Sequence, residues 1–149
     1  MADRVLLAER LGIAATDGSG GVSASMKETP AGHGGLWAQA AYTVTGSPTG
    51  VEVRVAIDGS SDGVNFHELV RFGDQTSTSG GMRLVRMASN TAVTADAAAA
   101  MTSLDTADAA PGTVSDGTLP PFLRARTKLQ TLTGGTSPTV SIVVTAGRV

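Results

Sequence analysis

The sequence predicts an all-β protein, an antiparallel β-sandwich with long loops and a short helix at most, for which a jelly roll is one arrangement. The first observation is a period of two in residues 51–57, where every second residue is Val or Ile, as in a half-buried strand. The second is the turn-forming run DGSSDG at 58–63, which precedes another apolar segment and so predicts a β-hairpin. The third is a composition rich in Gly, Ser, Thr, Val and Ala.

Length and composition indicate a single domain that spans residues 1–149. Aromatic residues are only 3% of the chain, so the core has to be built from aliphatic side chains. Charged residues are 16%, against about 25% in an average soluble domain, and Gly accounts for 19 of the 149 residues. These values are typical of a turn-rich β-protein and disfavour a helical bundle.

Charge and cysteine content exclude several classes of function. The formal net charge of −2 leaves no overall basic field to hold nucleic acid. The absence of cysteine rules out disulfides, thiolate metal sites and cysteine nucleophiles. No apolar run is long enough to span a bilayer, and Asp3 and Glu9 make the first residues unlike a signal peptide. We therefore expect a protein made in the cytoplasm, with neither nucleic acid nor a membrane as partner.

The first 21 residues or so form an N-terminal arm whose structure the pattern leaves open. Its leucines would line one face of a helix over 2–13, whereas residues 5–7 would equally suit a short strand. An apolar arm either packs on its own domain, which we expect, or docks on a neighbouring subunit. The arm supplies four interface candidates: Val5, Leu6, Leu7 and Leu11.

Alternation also predicts the central strands. Residues 36–45 form a strand that places Trp37 and Tyr42 on opposite faces, and the alanines of the Tyr42 face predict close approach of a second sheet. Residues 51–72 form a hairpin whose second strand is irregular enough to predict a bulge. The remaining long strands are predicted at 82–87, 122–132 and 140–146.

Residues 89–118 form an insert, rich in Ala, Thr and Asp, that interrupts the strand pattern. Residues 95–104 would suit a short helix capped by Thr94, and the alternative is an extended excursion across a surface. All four charges of the insert are acidic, and an insert of this length is usually functional, interface-forming or mobile. It contributes three interface candidates: Asp96, Asp105 and Asp108.

A basic stripe follows the insert, on one face of the strand at 122–132. Arg124, Arg126 and Lys128 alternate there with apolar residues and threonine. A solvated strand face is the default interpretation, and phosphate groups or the acidic insert, in the same chain or in a neighbour, are the alternatives. The insert is purely acidic and the segment 122–149 purely basic, a division that favours subunit contacts. No aromatic residues interleave with the stripe, which argues against a surface for single-stranded nucleic acid.

The hairpin tip at 58–63 matches the start of a calcium-binding loop, with oxygens at its first, third and fifth positions and Gly at its sixth. The twelfth position is Leu69 where a bidentate Glu is needed, and the flanking elements are strands. A tip that caps its own backbone is therefore the favoured interpretation. Residues 59–63 also fit G-x-S-x-G, but that motif works only when a helix follows.

The other candidates for chemistry are few. His33 and His67 lack the spacing of a zinc site, so ordinary surface histidines are expected. Trp37 and Tyr42 lie on opposite faces of one strand, which disfavours a sugar-stacking pair. We therefore expect no catalytic residue, no metal, no cofactor and no enzymatic activity.

Two segments resemble parts of small structural proteins of tailed bacteriophages. The hairpin VEVRVAIDGSSDGVNFHELVRF at 51–72 is similar to their hairpin of the pattern strand, G-S-x-D-G-x-N-[FW], strand. The C-terminal segment LPPFLRARTKLQTLTGGTSPTVSIVVTAGRV at 119–149 resembles their closing hairpin of the pattern LPPYLRVR…TGTSPS…V. The resemblance covers about a third of the chain, and the acidic insert lies outside it.

The resemblance implies a virion component without enzymatic activity or cofactor. It is greatest to capsid decoration (cement) proteins, which are β-sandwiches or jelly rolls, often homotrimers, that stabilise the phage head by binding across capsomers. The implied partner is the major capsid protein, and the implied location is the virion, assembled in the host cytoplasm. A tail or baseplate component, with tail proteins as partners, is the alternative. A surface carbohydrate-binding module is a third interpretation, which the 3% aromatic content disfavours.

Overall fold

The computed structural model describes residues 4–29, 36–87, 113–114 and 120–148. Within these ranges the chain forms ten strands and no helix. In chain order the strands are β1 (Arg4–Ile13), β2 (Val22–Ser23), β3 (Lys27–Glu28), β4 (Leu36–Thr45), β5 (Gly50–Ser60), β6 (His67–Arg71), β7 (Gly81–Met87), β8 (Thr113–Val114), β9 (Phe122–Thr133) and β10 (Thr139–Arg148).

The strands form two antiparallel sheets. Sheet A has the order β1-β10-β4-β7, and sheet B has the order β2-β9-β5-β6-β8, with β3 also paired to β9. Strands that follow one another in the chain often lie in different sheets, as β4 and β5 do. Both sheets contribute side chains to one core, so the prediction of an antiparallel β-sandwich is confirmed.

The core is aliphatic because each long strand turns one face inward. In β4 the alternate residues from Leu36 to Tyr42 are buried, and Trp37 lies on the other face, as predicted. The alternating Val and Ile residues of β5 meet this face from sheet B. The largest fully buried aliphatic side chains are Leu7, Leu36, Ile57, Leu123, Leu129, Ile142, Val53, Val55, Val70 and Val140.

The N-terminal arm is a strand that packs on its own domain, so the helix interpretation is wrong. β1 pairs antiparallel with β10. A bulge between Leu6 and Ala8 lets Leu7 enter the core, where it is 1% exposed. Leu7 is therefore wrong as an interface candidate, because its side chain already packs inside the sandwich. Leu6 and Leu11 are exposed, and Val5 is partly buried against the core.

An ion pair ties the two sheets together. Arg10 of β1 donates a hydrogen bond to each carboxylate oxygen of Asp17, both at 2.8 Å. Asp17 also accepts the backbone N–H of Leu129 in β9 at 2.8 Å, and Arg10 donates to the Thr127 hydroxyl at 3.1 Å. The Arg10 hydrogen bond holds the pKa of Asp17 below its usual value, against the opposing effect of burial.

Replacing Asp17 by asparagine should lower the free energy of unfolding by about 1–3 kcal/mol at neutral pH, because a carboxylate with charge-assisted hydrogen bonds is lost. A carboxyl with a lowered folded pKa binds fewer protons in the folded than in the unfolded chain. Its contribution is therefore present above the unfolded pKa of 3.8 and is lost as the pH falls through the folded pKa. Denaturant unfolding of both proteins across this range measures the difference. A difference that stays constant into acid would contradict the ion pair.

Most of the acidic insert and part of the loop before β4 lie outside the described residues. Several predictions fall there and stay predictions: the helix at 95–104, His33, and the interface candidates Asp96, Asp105 and Asp108. The described part of the insert is β8, which adds a short strand to the edge of β6. Along the described ranges, no helix has the length and apolar character needed to cross a membrane.

Candidate interface surfaces

Two of the three basic side chains in the β9 stripe are buried and not exposed to solvent. β9 runs between β2 and β5 in sheet B, with Leu123 and Ala125 in the core. Its outer face carries Arg124, Arg126 and Lys128, as predicted. Arg126 and Lys128 are each only 3% exposed, so the prediction of a solvated face is wrong for both, and neither is available to a partner as an interface candidate.

Arg126 meets two carboxylates from neighbouring strands, which offset the cost of burying its charge. Its Nε donates to Asp58 of β5 at 2.9 Å, and its Nη2 donates to Glu68 of β6. The bulge predicted in this hairpin is confirmed, since the register shifts after Ile57 and leaves Leu69 as the extra residue. That shift brings Glu68 opposite Asp58, so that Arg126 bridges the two carboxylates.

Asp58 is the centre of this cluster. It is fully buried and also accepts the Nε–H of Arg124 at 3.3 Å. Burial raises the pKa of Asp58 to about 6, while the guanidinium groups of Arg126 and Arg124 oppose that rise. Arg124 lies over the ring of Phe66, 4.1 Å from its centroid, and marks the partly exposed rim of the cluster. At neutral pH Asp58 is thus a buried carboxylate that depends on its arginine partners.

A second group of charges continues the layer across β5 and β6. Arg54 donates to Glu52 at 2.7 Å and lies 3.7 Å from Asp74. Arg71 is 2% exposed and donates to Asp74 at 3.0 Å, and burial lowers the pKa of Arg71. The outer face of β9, β5 and β6, together with Asp74 of the loop after β6, therefore carries a mixed ionic layer, hereafter the ionic layer, made of Glu52, Arg54, Asp58, Glu68, Arg71, Asp74, Arg124, Arg126 and Lys128.

The tip of the β5–β6 hairpin is held in shape by one carboxylate. Asp62 accepts the backbone N–H groups of Val64 and Asn65, each at 2.8 Å, and the Ser60 hydroxyl at 2.8 Å. The hydrogen bond from the Asn65 backbone is the largest of several that hold the pKa of Asp62 well below its usual range. The prediction of a tip that caps its own backbone is confirmed.

This tip presents an apolar side chain and not a cation site. Val64 is 78% exposed, and Met26 lies against Gly63 beside it. Asp58, the first position of the calcium-like pattern, is instead paired with Arg126 in the ionic layer, so the calcium alternative loses its first ligand. Among the described residues, no group of three His, Asp or Glu side chains is placed to hold a metal ion.

The outer face of sheet A has the opposite character to the ionic layer. The strand registers place its side chains in rows, three of which run across β1, β10, β4 and β7, while two shorter rows, Ser141 with Thr43 and Thr139 with Thr45, continue the face on β10 and β4. In that strand order, row 1 is Arg4, Gly147, Trp37 and Arg86, row 2 is Leu6, Thr145, Gln39 and Leu84, and row 3 is Glu9, Val143, Ala41 and Met82.

Large apolar side chains stand out from these rows into solvent. Leu6 is 46%, Leu84 64% and Met82 54% exposed. Arg4 lies over the Trp37 ring, 5.3 Å from its centroid. This face, with few charges and several exposed apolar residues, is typical of a surface that meets another protein.

Sequence reasoning singled out only part of this face. Leu6 was an interface candidate, but Leu84 and Met82 were not, although the alternation of Met82 and Leu84 with Arg83 was a usable signal. His67 lies at the start of β6 opposite Gly59, and Tyr42 donates to the Ser77 carbonyl at 2.7 Å from the core side of β4.

Comparison of the chain with protein-family models, with curated proteins and with solved structures found no match in any of the three. The features of the chain that bear on function are the two resembling hairpins, the ionic layer, the tip and the outer face of sheet A.

Proposed function

We propose that this chain is a virion structural protein, a capsid decoration protein that binds the major capsid protein across neighbouring capsomers. The observation that carries the proposal is that the two segments resembling phage structural proteins form one structural unit. β5 comes from the first segment and β9 from the second, and they pair along the whole length of β5. Asp58 of the first segment is ion-paired with Arg124 and Arg126 of the second.

The order of the strands supports the same proposal. In a jelly roll, eight strands form two Greek keys and two facing sheets, and β1-β10-β4-β7 facing β2-β9-β5-β6 has that order. Jelly rolls are frequent in viral capsid proteins, and they also occur in lectins. A shared fold alone does not establish a shared function. The two resembling hairpins supply a likeness in sequence that points to the same class of protein.

We assign the capsid contact to the tip of the β5–β6 hairpin. Asp62 fixes the tip before binding, so little conformational entropy is lost when Val64 meets a partner. One such contact is modest, and several copies joined in a homo-oligomer bind a repeating shell more tightly than one copy does. The protein would act on the virion, after assembly in the host cytoplasm, by linking capsomers.

Co-sedimentation with empty capsids of the phage that encodes the chain tests this proposal. We expect the wild-type protein to bind, and Val64→Asp to weaken binding by about tenfold or more because a charge enters an apolar contact. Thr78→Asp is the matched control. It adds the same charge at an exposed position in the loop between β6 and β7, at the opposite end of the hairpin.

The outcomes separate the alternatives. A protein that binds purified tails or baseplates and not capsids would be a tail component, and one that binds neither would overturn the proposal. If Val64→Asp and Thr78→Asp weakened capsid binding equally, the tip would be rejected as the contact, but the proposal that the protein binds capsids would stand.

A further inference from the structure

We propose that the outer face of sheet A packs against the same face of a second copy of this chain, across a twofold axis. The axis lies midway between the two facing sheets. It is parallel to the planes of both sheets and perpendicular to their strands, and it runs directly over row 2. The inference concerns how copies of the chain meet, and it does not depend on the proposed capsid contact.

The order of the rows makes this face self-complementary. A twofold axis over row 2 keeps each strand opposite its counterpart and places row 1 of one copy against row 3 of the other. On the two central strands, Trp37 then meets the partner's Ala41, and Gly147 meets the partner's Val143. On these two strands a large side chain of one copy therefore faces a small residue of the other, as the interdigitation of packed sheets requires.

The charges favour this arrangement over a second one, in which the twofold axis runs parallel to the strands. On β1, Arg4 faces the partner's Glu9, and symmetry repeats the pair, so two opposite-charge contacts flank the apolar rows. A twofold axis parallel to the strands would instead place Arg4 against the partner's Arg86, twice, with like charges opposed. Both residues of the favourable pair have long side chains on an edge strand, so they tolerate the offset that sheet twist introduces.

The size of the overlap fits a reversible contact. Three rows about 6.6 Å apart on four strands about 4.8 Å apart give roughly 400 Å² per copy, and the residues of β10 and β4 beyond row 3 lie outside the overlap. The two copies together would bury about 800 Å², which is below the range of stable specific interfaces and matches a weak, reversible dimer. The ionic layer of sheet B is the poorer candidate, because its charges already pair within the chain.

Sedimentation velocity of the full chain across a concentration series tests the inference. We expect a monomer–dimer equilibrium in the wild-type protein. Leu84 faces the partner's Leu84 beside the axis, so Leu84→Asp opposes two carboxylates and should raise the dimer Kd by about tenfold or more. Val22→Asp is the matched control, because it changes an exposed apolar residue of sheet B in the same way and should leave the Kd unchanged.

Charge reversal separates loss of the contact from loss of folding. Arg4→Glu and Glu9→Arg should each raise the Kd about tenfold, whereas the double variant R4E/E9R should restore it to within about threefold of wild type. Restoration would not follow if either substitution simply unfolded the chain. A wild-type chain that stays monomeric, a trimer, or a dimer insensitive to Leu84→Asp would overturn the inference.

Discussion

Replacing Arg126 by alanine is expected to lower the free energy of unfolding by about 3–5 kcal/mol. The substitution removes the guanidinium that bridges Asp58 and Glu68 and leaves both carboxyls in the buried layer. Each carboxylate then keeps its desolvation cost without its main partner, and the two repel each other. Urea unfolding followed at neutral pH measures the loss.

Arg124→Ala is the control for this prediction. It removes the same functional group from the same strand, and Arg124 also bonds Asp58, but its side chain is 24% exposed. Water can replace a partner at that rim, so the expected loss is about 1 kcal/mol or less. Equal losses for the two variants would contradict the bridging role of Arg126 and would reduce the ionic layer to ordinary surface pairs.

The sequence predicts correctly which side chains of β9 share a face, but not that two of them are buried. Alternation indicates the side of a strand on which a residue lies, and it does not indicate what lies over that side. The partners of Arg126 are 68 and 58 residues earlier in the chain, on β5 and β6. The sequence did contain one signal. The hairpin at 51–72 carries acidic side chains on its strands, and such side chains are candidates to pair with the basic side chains of a neighbouring strand.

Fold class was predictable because its evidence is local. Alternation locates the strands, and runs of Gly, Ser, Asp and Pro separate them. Strand order was not predictable in the same way, because β1 and β10 come from opposite ends of the chain and their pairing leaves no local trace. The arm stayed ambiguous for a related reason: the bulge at Leu7 breaks the period of two, so its leucines also fit a helix.

The outer face of sheet A illustrates the same limit for binding surfaces. Trp37 was correctly placed on the face opposite Tyr42, but its row neighbours come from three other strands. The self-complementary order of Arg4, Trp37 and Ala41 exists only once β4 and β1 are both paired with β10. A candidate interface made of rows across strands is therefore a property of register, which sequence spacing within one strand does not contain.

Replacing Gly135 by alanine should lower the free energy of unfolding by about 3 kcal/mol, through two separate effects. Gly135 lies in the β9–β10 turn with a φ of 76°, a conformation that a residue with a Cβ adopts only with strain. Its Cβ would also collide with the Gly46 carbonyl and lie 2.8 Å from the Ser47 carbonyl, in the turn between β4 and β5. The two turns lie far apart in the chain, and the sequence contains no local sign that they pack together.

Two further glycines separate strain from collision. Gly12 has a φ of 61°, and a Cβ added there would have no neighbouring atom within 4 Å, so Gly12→Ala should cost about 1 kcal/mol from backbone strain alone. Gly18 has neither a positive φ nor a close neighbour, so Gly18→Ala should be neutral or slightly stabilising. In thermal unfolding, we expect the lowest melting temperature for Gly135→Ala, an intermediate one for Gly12→Ala and the highest for Gly18→Ala. If Gly135→Ala were no worse than Gly12→Ala, the two turns would not be in contact, and the hydrogen bond from Thr136 to Gly46 that joins them would have to be abandoned.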